Sequence, residues 1–558
     1  MKQKLLPIFV LFTAILSVIM ILSILGSTNT SAIAAGQNID QVRGSTPAGV
    51  LAEPATIITV TSGTDPDEDK STTCYSGSSA TSPCTLRHAI NEARNVPESG
   101  KPVLIKFDIP KNAAEGYVSS LDIWKIQVYP TFDTYIFREL NGQIIIDGST
   151  QPGGRSDGPK IIIVGPGTGN KDGLRLSSFL GLDANEIKGL GFQNLRTYIF
   201  ISTNNNLVKD NWFGLTDNGQ DAYLTEFMED EHSGGTAIAV SANMADNIIE
   251  NNVFLGLYET AATIRGEANT FSMNFVGTTS DGTVPGKQTD PDLVCSKVDW
   301  LGGGAVTLEG DDHVIENNII AGIRLEISKY STQPTAIYVG GDGHLIQDNL
   351  IGVDSADKNV GVCGRGIYIG NGPQNNRIVG NTIVNPGFSG ISLNDVLYDA
   401  NTLEGNIIKR NDQWPQIEGN PAAEDAIQLG PILPNEFVTF KPAEIKEIDG
   451  TTVKGGSGEN SPCAGCRIEL FLDDTDLITE ALQSLDVVTA GSDGKWTATI
   501  PSKLSASQGI RTTSTSMKYN TIPNMSSGTT TGLSILYTES GGPGGGNQLF
   551  MPMVVNKD

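Results

Sequence analysis

Eight copies of one short phrase, separated by loops of unequal length, occupy residues 171–410 and leave this chain few folds to choose from. The copies begin at Asn185, Asn206, Asn247, Asn269, His313, His344, Asn376 and Asn401. Two residues on, every copy has an apolar side chain: Ile187, Val208, Ile249, Phe271, Ile315, Ile346, Ile378 and Leu403. Seven residues on stands a second: Phe192, Phe213, Phe254, Val276, Ile320, Ile351, Ile383 and Ile408. Five residues on, Asn211, Asn252, Asn274, Asn318, Asn349, Asn381 and Asn406 recur, with Leu190 the exception.

A strand alternates its faces, so an apolar residue flanked by polar ones, as in Glu186-Ile187-Lys188, turns inward. The second apolar residue follows after an odd interval, which requires a bend between the two. Asparagine suits a bend because it tolerates left-handed backbone angles. Stacked at the strand spacing, identical amides also donate and accept along a column. A third strand precedes most copies, as in Ala237-Ile238-Ala239-Val240, Ala336-Ile337-Tyr338-Val339 and Gly366-Ile367-Tyr368-Ile369. Three strands per turn predict a parallel β-helix. A leucine-rich horseshoe or a propeller shares the period, but the array has no Leu-x-x-Leu-x-Leu frame and no Trp-Asp blade ending.

These residues resemble the right-handed parallel β-helix proteins of the pectin-lyase-like superfamily. They are similar in particular to a secreted bacterial family that carries Ile145-Ile146-Asp147-Gly148-Ser149-Thr150-Gln151-Pro152-Gly153 ahead of its coils. The segment Cys84-Thr85-Leu86-Arg87-His88-Ala89 resembles that family's Cys-Ser-Leu-Arg-Glu-Ala opening, departing at Thr85 and His88. The resemblance covers about residues 55–540 and implies the fold; function resides in sites grafted on folds.

Taken in order, residues 1–35 have Lys2 and Lys4, an apolar run from Leu5 to Leu25 and Ala32-Ile33-Ala34, the layout of a signal peptide. The run is also long enough for an N-terminal anchor. Either way the chain is expected to be secreted or at the cell surface, touching membrane only through this segment. Residues 36–54 read as a linker, and 55–170 as an N-terminal cap with the first coils. In the cap, Leu86, Ala89, Ile90 and Ala93 recur at helical spacing. Such a helix covers the apolar end of a solenoid, with His88 expected on its solvated side. Residues 171–410 are the main repeats. Pro415, Pro421, Pro431 and Pro434 mark a C-terminal cap and linker over 411–435. Short alternating strands at 436–540 read as an immunoglobulin-like β-sandwich. Residues 541–558 are a Gly-rich tether and an apolar tail whose ending resembles the terminal motif of some exported proteins.

The formal net charge of -26, from 63 acids against 37 bases, repels phosphate backbones and speaks against nucleic acid as a partner. Six cysteines in an exported chain form an even set. Cys74 with Cys84, Cys295 with Cys363 and Cys463 with Cys466 are the disulfide candidates; Cys463-x-x-Cys466 lacks the further ligands zinc needs. Asp217-Asn218-Gly219, Asp281-Gly282 and Asp354-Ser355-Ala356-Asp357 offer oxygens to calcium only weakly, because none has the spacing of a calcium loop. No metal and no other cofactor is expected.

Hydrolysis of a glycosidic bond requires two carboxyl groups roughly 5 to 9.5 Å apart. In the outward column three residues after each start, Glu250 and Glu316 are the weak catalytic candidates, provided no coil hides between Asn269 and His313. No complete catalytic set is present in order. The sequence therefore points to a binding, adhesion or structural surface protein whose partner is an extracellular glycan or cell-envelope component. The alternatives are a polysaccharide lyase or glycoside hydrolase, and a passive stalk; the oligomeric state is not fixed by the sequence.

Overall fold

The computed structural model describes residues 51–65, 74, 83–129, 135–166, 171–178, 183–223, 236–257, 259–285, 304–323, 335–370, 372–393, 400–409, 426–429, 440–456, 464–476, 478–516, 528–539 and 542–543. The N-terminal segment, the apolar tail, Cys295 and Cys463 lie outside these residues. Among the described residues no helix is long and apolar enough to cross a membrane.

The chain is a right-handed parallel β-helix with three strands per coil and a small β-sandwich after it. The first sheet has eleven strands, from Thr56–Val60 to Thr402–Glu404. The second also has eleven, ending at Ile407–Lys409, and the third has nine, from Leu174–Ser177 to Ile427–Leu429. The last of these lies beyond residue 410, so the third sheet runs one rung past the expected end of the repeats.

Register is fixed by the apolar columns. In the first sheet, Ile146, Ile187, Val208, Ile249, Phe271, Ile315, Ile346, Ile378 and Leu403 are successive partners, all buried. A one-residue slip would turn each of them outward. Each such burial is worth about 1.5–3 kcal/mol. In the second sheet the rings of Phe192, Phe213 and Phe254 stack at 5.2 and 4.9 Å. Phe271 is paired directly with Ile315, so the interval from Asn269 to His313 is one coil with a long loop.

Both bends that flank the first sheet follow one rule. A residue in the left-handed region is followed by a buried, inward-facing polar side chain, except after Gly189, where Leu190 takes that place. The bend toward the second sheet uses Gly189, Asp210, Asn251, Met273, Asn317, Asp348, Gly380 and Gly405. The residue before the asparagine, rather than the asparagine itself, makes the turn, which leaves the amide free to bond along the column. Asn211 Nδ2 donates to Asn252 Oδ1 at 3.1 Å, and the chain continues through Asn274, Asn318 and Asn349 to Asn381 and Asn406. Each Oδ1 also accepts the backbone N–H of the preceding asparagine, as Asn252 does for Asn211. The other bend uses Ala184, Asn205, Asp246, Ala268, Asp312, Gly343, Asn375 and Ala400. Its column runs Asn185, Asn206, Asn247, Asn269, His313, His344, Asn376, Asn401. Buried amides without such partners would cost about 1–3 kcal/mol each.

The two ends of the tube are covered differently. At the start, helix Leu86–Asn95 is capped by the Thr85 side chain, which accepts from His88 N. Its buried residues include Arg87 and His88, so His88 is not on a solvated side. Covering a whole tube end buries more than one stripe of a helix, and Arg87 is satisfied there by Asp65, Ile136 O and Tyr129 O. Cys74 and Cys84 are disulfide-bonded. Cys363 and Cys466 are also in disulfides.

At the other end the last coil meets the sandwich. Thr529 and Thr530 hydroxyls accept from Ala400 N and Leu403 N, and Ala481 exchanges backbone hydrogen bonds with Ile408 at 3.0 Å. The last strands of the first and second sheets thereby meet the sandwich. The sandwich itself comprises two antiparallel sheets, one including Glu444–Asp449, Thr452–Gly456 and Trp496–Thr499 and the other built on Arg467–Asp474 and Gln508–Ser516. Val453, Ile468, Leu470, Trp496 and Ile510 form its core.

Candidate functional site

Glu250 and Glu316 stand on the outer face of the first sheet with Ser272 between them in register. Two strand spacings separate them by roughly 9.6 Å. Lys209, Ser272 and Gln347 are their neighbours in the column, and Gln347 Nε2 donates to Glu316 at 2.6 Å. The adjoining outward column is Leu207, Ile248, Thr270, Val314 and Leu345. The adjoining column continues to Arg377, two rungs beyond Val314, where the arginine pairs with Glu404, and no aromatic ring flanks the two carboxylates in these columns.

The turn carboxylates are occupied. Asp217 pairs with Lys125 Nζ at 2.8 Å and accepts from Gln193. Asp281 accepts from Thr279 and Thr283, which hold its carboxyl below the usual range. Asp354 accepts the N–H groups of Ala356 and Lys358. Asp473, Asp474 and Glu480 bring three carboxylates together in the sandwich. There burial pushes Asp473 up to about 6 even though the Arg511 guanidinium bonds its Oδ2. With that oxygen committed to arginine, the cluster is an ion pair with acidic neighbours, a poor cradle for a cation.

The third sheet offers a different surface. Its outward central residues fall in one register: Arg175, Phe200, Ala239, Thr263, Thr307, Tyr338, Tyr368, Ser392 and Gln428. Three small residues, Ala239, Thr263 and Thr307, thus lie between aromatic residues on either side. From Phe200 to Tyr338 is four strand spacings, about 19 Å. The floor is polar as well as shallow, since the hydroxyls of Thr236, Thr260 and Thr263 lie 3.2–3.4 Å apart.

At one end of this trough the Tyr338 and Tyr368 rings are 5.7 Å apart and tilted by 43°. The Arg365 guanidinium lies 4.9 Å from the Tyr368 centroid and 5.6 Å from Phe388. Glycine makes room for Tyr338: a Cβ on Gly370 would fall 2.7 Å from its hydroxyl, and one on Gly340 3.0 Å from its ring. Burial, with Tyr368 and Glu309 nearby, holds the Tyr338 phenol above its ordinary value and therefore protonated as a donor. At the other end Arg175 lies over Tyr135 and Phe200 at 5.8 and 5.6 Å.

The loops are distributed unevenly about this sheet. The connections that lead into it include 214–237, 277–303, 321–334 and 352–364, whereas those that leave it, such as 265–269, 310–313 and 341–344, are short. The third sheet thus presents aromatic and hydroxyl side chains in register along one face.

No protein-family model matches the chain, and no curated protein does. Among solved structures, the A-module of the Azotobacter vinelandii mannuronan C-5 epimerase AlgE6 is 12% identical, covers 62% of this chain and 94% of its own, and has a TM-score of 0.24. The tailspike protein of E. coli bacteriophage HK620, solved in complex with a pentasaccharide, is 11% identical over 74% of this chain and 80% of its own, at a TM-score of 0.27. The Dettilon tailspike protein is 11% identical over 82% and 78%, at 0.31.

Proposed function

We propose that this chain is an exported surface protein that binds an extended saccharide chain along the outer face of the third sheet. The observation that carries the reading is the register of Phe200, Ala239, Thr263, Thr307, Tyr338 and Tyr368, which sets aromatic rings at the two ends of a hydroxyl-lined trough. Sugar rings have an apolar face and a hydroxyl rim. The first fits against tyrosine and phenylalanine, and the second against threonine hydroxyls and a phenol. The rungs repeat every 4.8 Å or so, which offers a polymer a series of like contacts instead of one pocket.

Glu250 and Glu316 face away from the trough on another sheet, and the reading is accordingly one of binding without cleavage. A glycan array probed with the wild-type chain and with the Tyr338→Ala/Tyr368→Ala double variant, followed by a reducing-end assay on each retained glycan, tests it. Retention lost in the double variant, with no new reducing ends, is the expected result. Retention that the double variant leaves unchanged, or new reducing ends, overturns it.

A further inference from the structure

Most of the described arginines meet a carboxylate, and Arg175 does not. Arg87, Arg155, Arg196 and Arg265 each meet a carboxylate. Arg175 meets none, and its Nε is buried without a hydrogen-bond partner. A buried N–H without an acceptor carries a penalty that native structures rarely leave unrelieved.

Its position gives that N–H a meaning. Arg175 is the register partner of Phe200 and so heads the column of the trough, five strand spacings from Tyr338, about 24 Å. The rings of Tyr135 and Phe200 hold the guanidinium without satisfying its N–H groups, since a ring face attracts the cation but accepts no in-plane hydrogen bond. A guanidinium fixed this way presents a planar fork, the geometry that carboxylate and sulfate oxygens take in pairs.

We infer that the saccharide lying along this face is acidic, and that a carboxylate or sulfate on it docks on Arg175. The inference rests on the trough reading and narrows it: a neutral chain leaves the guanidinium without a counter-charge, whereas an oxyanion supplies one at its terminal N–H groups. Recognition is local. The overall negative charge of the protein slows the approach of such a ligand and makes added salt less harmful to the on-rate, while the short-range fork contact weakens with salt.

The test uses the full chain and three sets of oligosaccharides of one linkage: tetra- to hexauronides, their carboxyl-reduced counterparts and sulfated counterparts. Calorimetry on wild type, Arg175→Gln and Tyr338→Ala gives the affinities, and circular dichroism confirms that each variant is folded. Wild type is expected to hold an acidic set about tenfold or more tighter than the reduced set, as one charge-assisted pair allows. In Arg175→Gln that preference falls to within about twofold while the reduced set binds as before. Whether the carboxylated or the sulfated set shows the preference identifies the oxyanion. Equal wild-type affinity for acidic and reduced sets, with both weakened in Tyr338→Ala, overturns the inference and leaves the trough standing. Binding that Tyr338→Ala does not weaken, or no binding by any set, overturns both. Should Arg175→Gln fail to fold, the wild-type comparison of acidic and reduced sets still decides.

Discussion

His313 and His344 stack ring on ring, 5.0 Å apart and 10° from parallel, inside the bend column between the third and first sheets. His344 Nδ1 accepts the backbone N–H of His313, and His313 Nδ1 accepts that of Asn269. Each imidazole thus takes the place of an asparagine oxygen, which it can do only while Nδ1 is unprotonated. Burial lowers both, His344 to about 3. The unfolded value is near 6.5, so the folded chain binds fewer protons than the unfolded one between those values. Stability is full above about pH 6.5 and is lost as pH falls, by about 1.4 kcal/mol per unit for His344 down to about 3, with His313 adding to the loss in the same direction. His344→Asn restores an amide acceptor, and denaturant unfolding at pH 7.5 and 4.5 should show a smaller acid loss than wild type by about 2–3 kcal/mol. An equal loss in the two proteins removes His344 from the account.

Met273 occupies a left-handed bend position, φ 54°, with its side chain 50% exposed. Equivalent positions hold glycine, asparagine or aspartate except here, where a Cβ in this region costs about 1–2 kcal/mol. Met273→Gly should therefore raise stability by about 1 kcal/mol, partly offset by the freer unfolded chain. Met273→Val should lower it. Paired denaturant curves read both, and a destabilised glycine variant would show that the methionine contributes packing of its own.

Asn318 lies mid-ladder. Its Oδ1 accepts both the N–H and the Nδ2 of Asn274, and its own Nδ2 serves Phe271 O and Asn349. Asn318→Ala strands two donors and a carbonyl at once and should cost about 3–5 kcal/mol. A loss below about 1 kcal/mol would mean that water replaces the side chain.

The inward half of this fold is legible in the residues because burial demands apolar side chains at a fixed phase; Ile187, Val208 and Ile249 could be aligned by eye and are register partners. The outward half is not. Ala239, Thr263 and Thr307 serve no packing role that would impose a period, so the trough emerges only once the middle residue of each third-sheet strand is set in register. That alignment was open to sequence reading, since the strands at 237–240, 336–339 and 366–369 are recognisable, but nothing in Tyr338 alone separates a ligand platform from a surface tyrosine. The phase of Glu250 and Glu316 is equally readable. Their rung count is not, because a long loop and a hidden coil look alike until Phe271 is seen beside Ile315. His88 was misplaced for a related reason: a helical stripe says which residues face a sheet, whereas a cap over a tube end encloses the flanks too.

The trough can be filled without touching the core. Thr307 points outward between Thr263 and Tyr338, and its inward neighbours Val306 and Leu308 do the packing. Thr307→Trp places an indole across the small-residue floor between the two aromatic ends. Surface substitutions of this kind typically alter stability by no more than about 0.5 kcal/mol, so folding should survive. Binding of any saccharide retained by wild type should fall by about tenfold or more, because the ligand would have to bridge or displace the new ring. A substitution at the matching outward position of the first sheet, Ile248→Trp, should leave affinity unchanged. If the two tryptophans weaken retention alike, or Thr307→Trp not at all, the ligand does not lie along the third sheet.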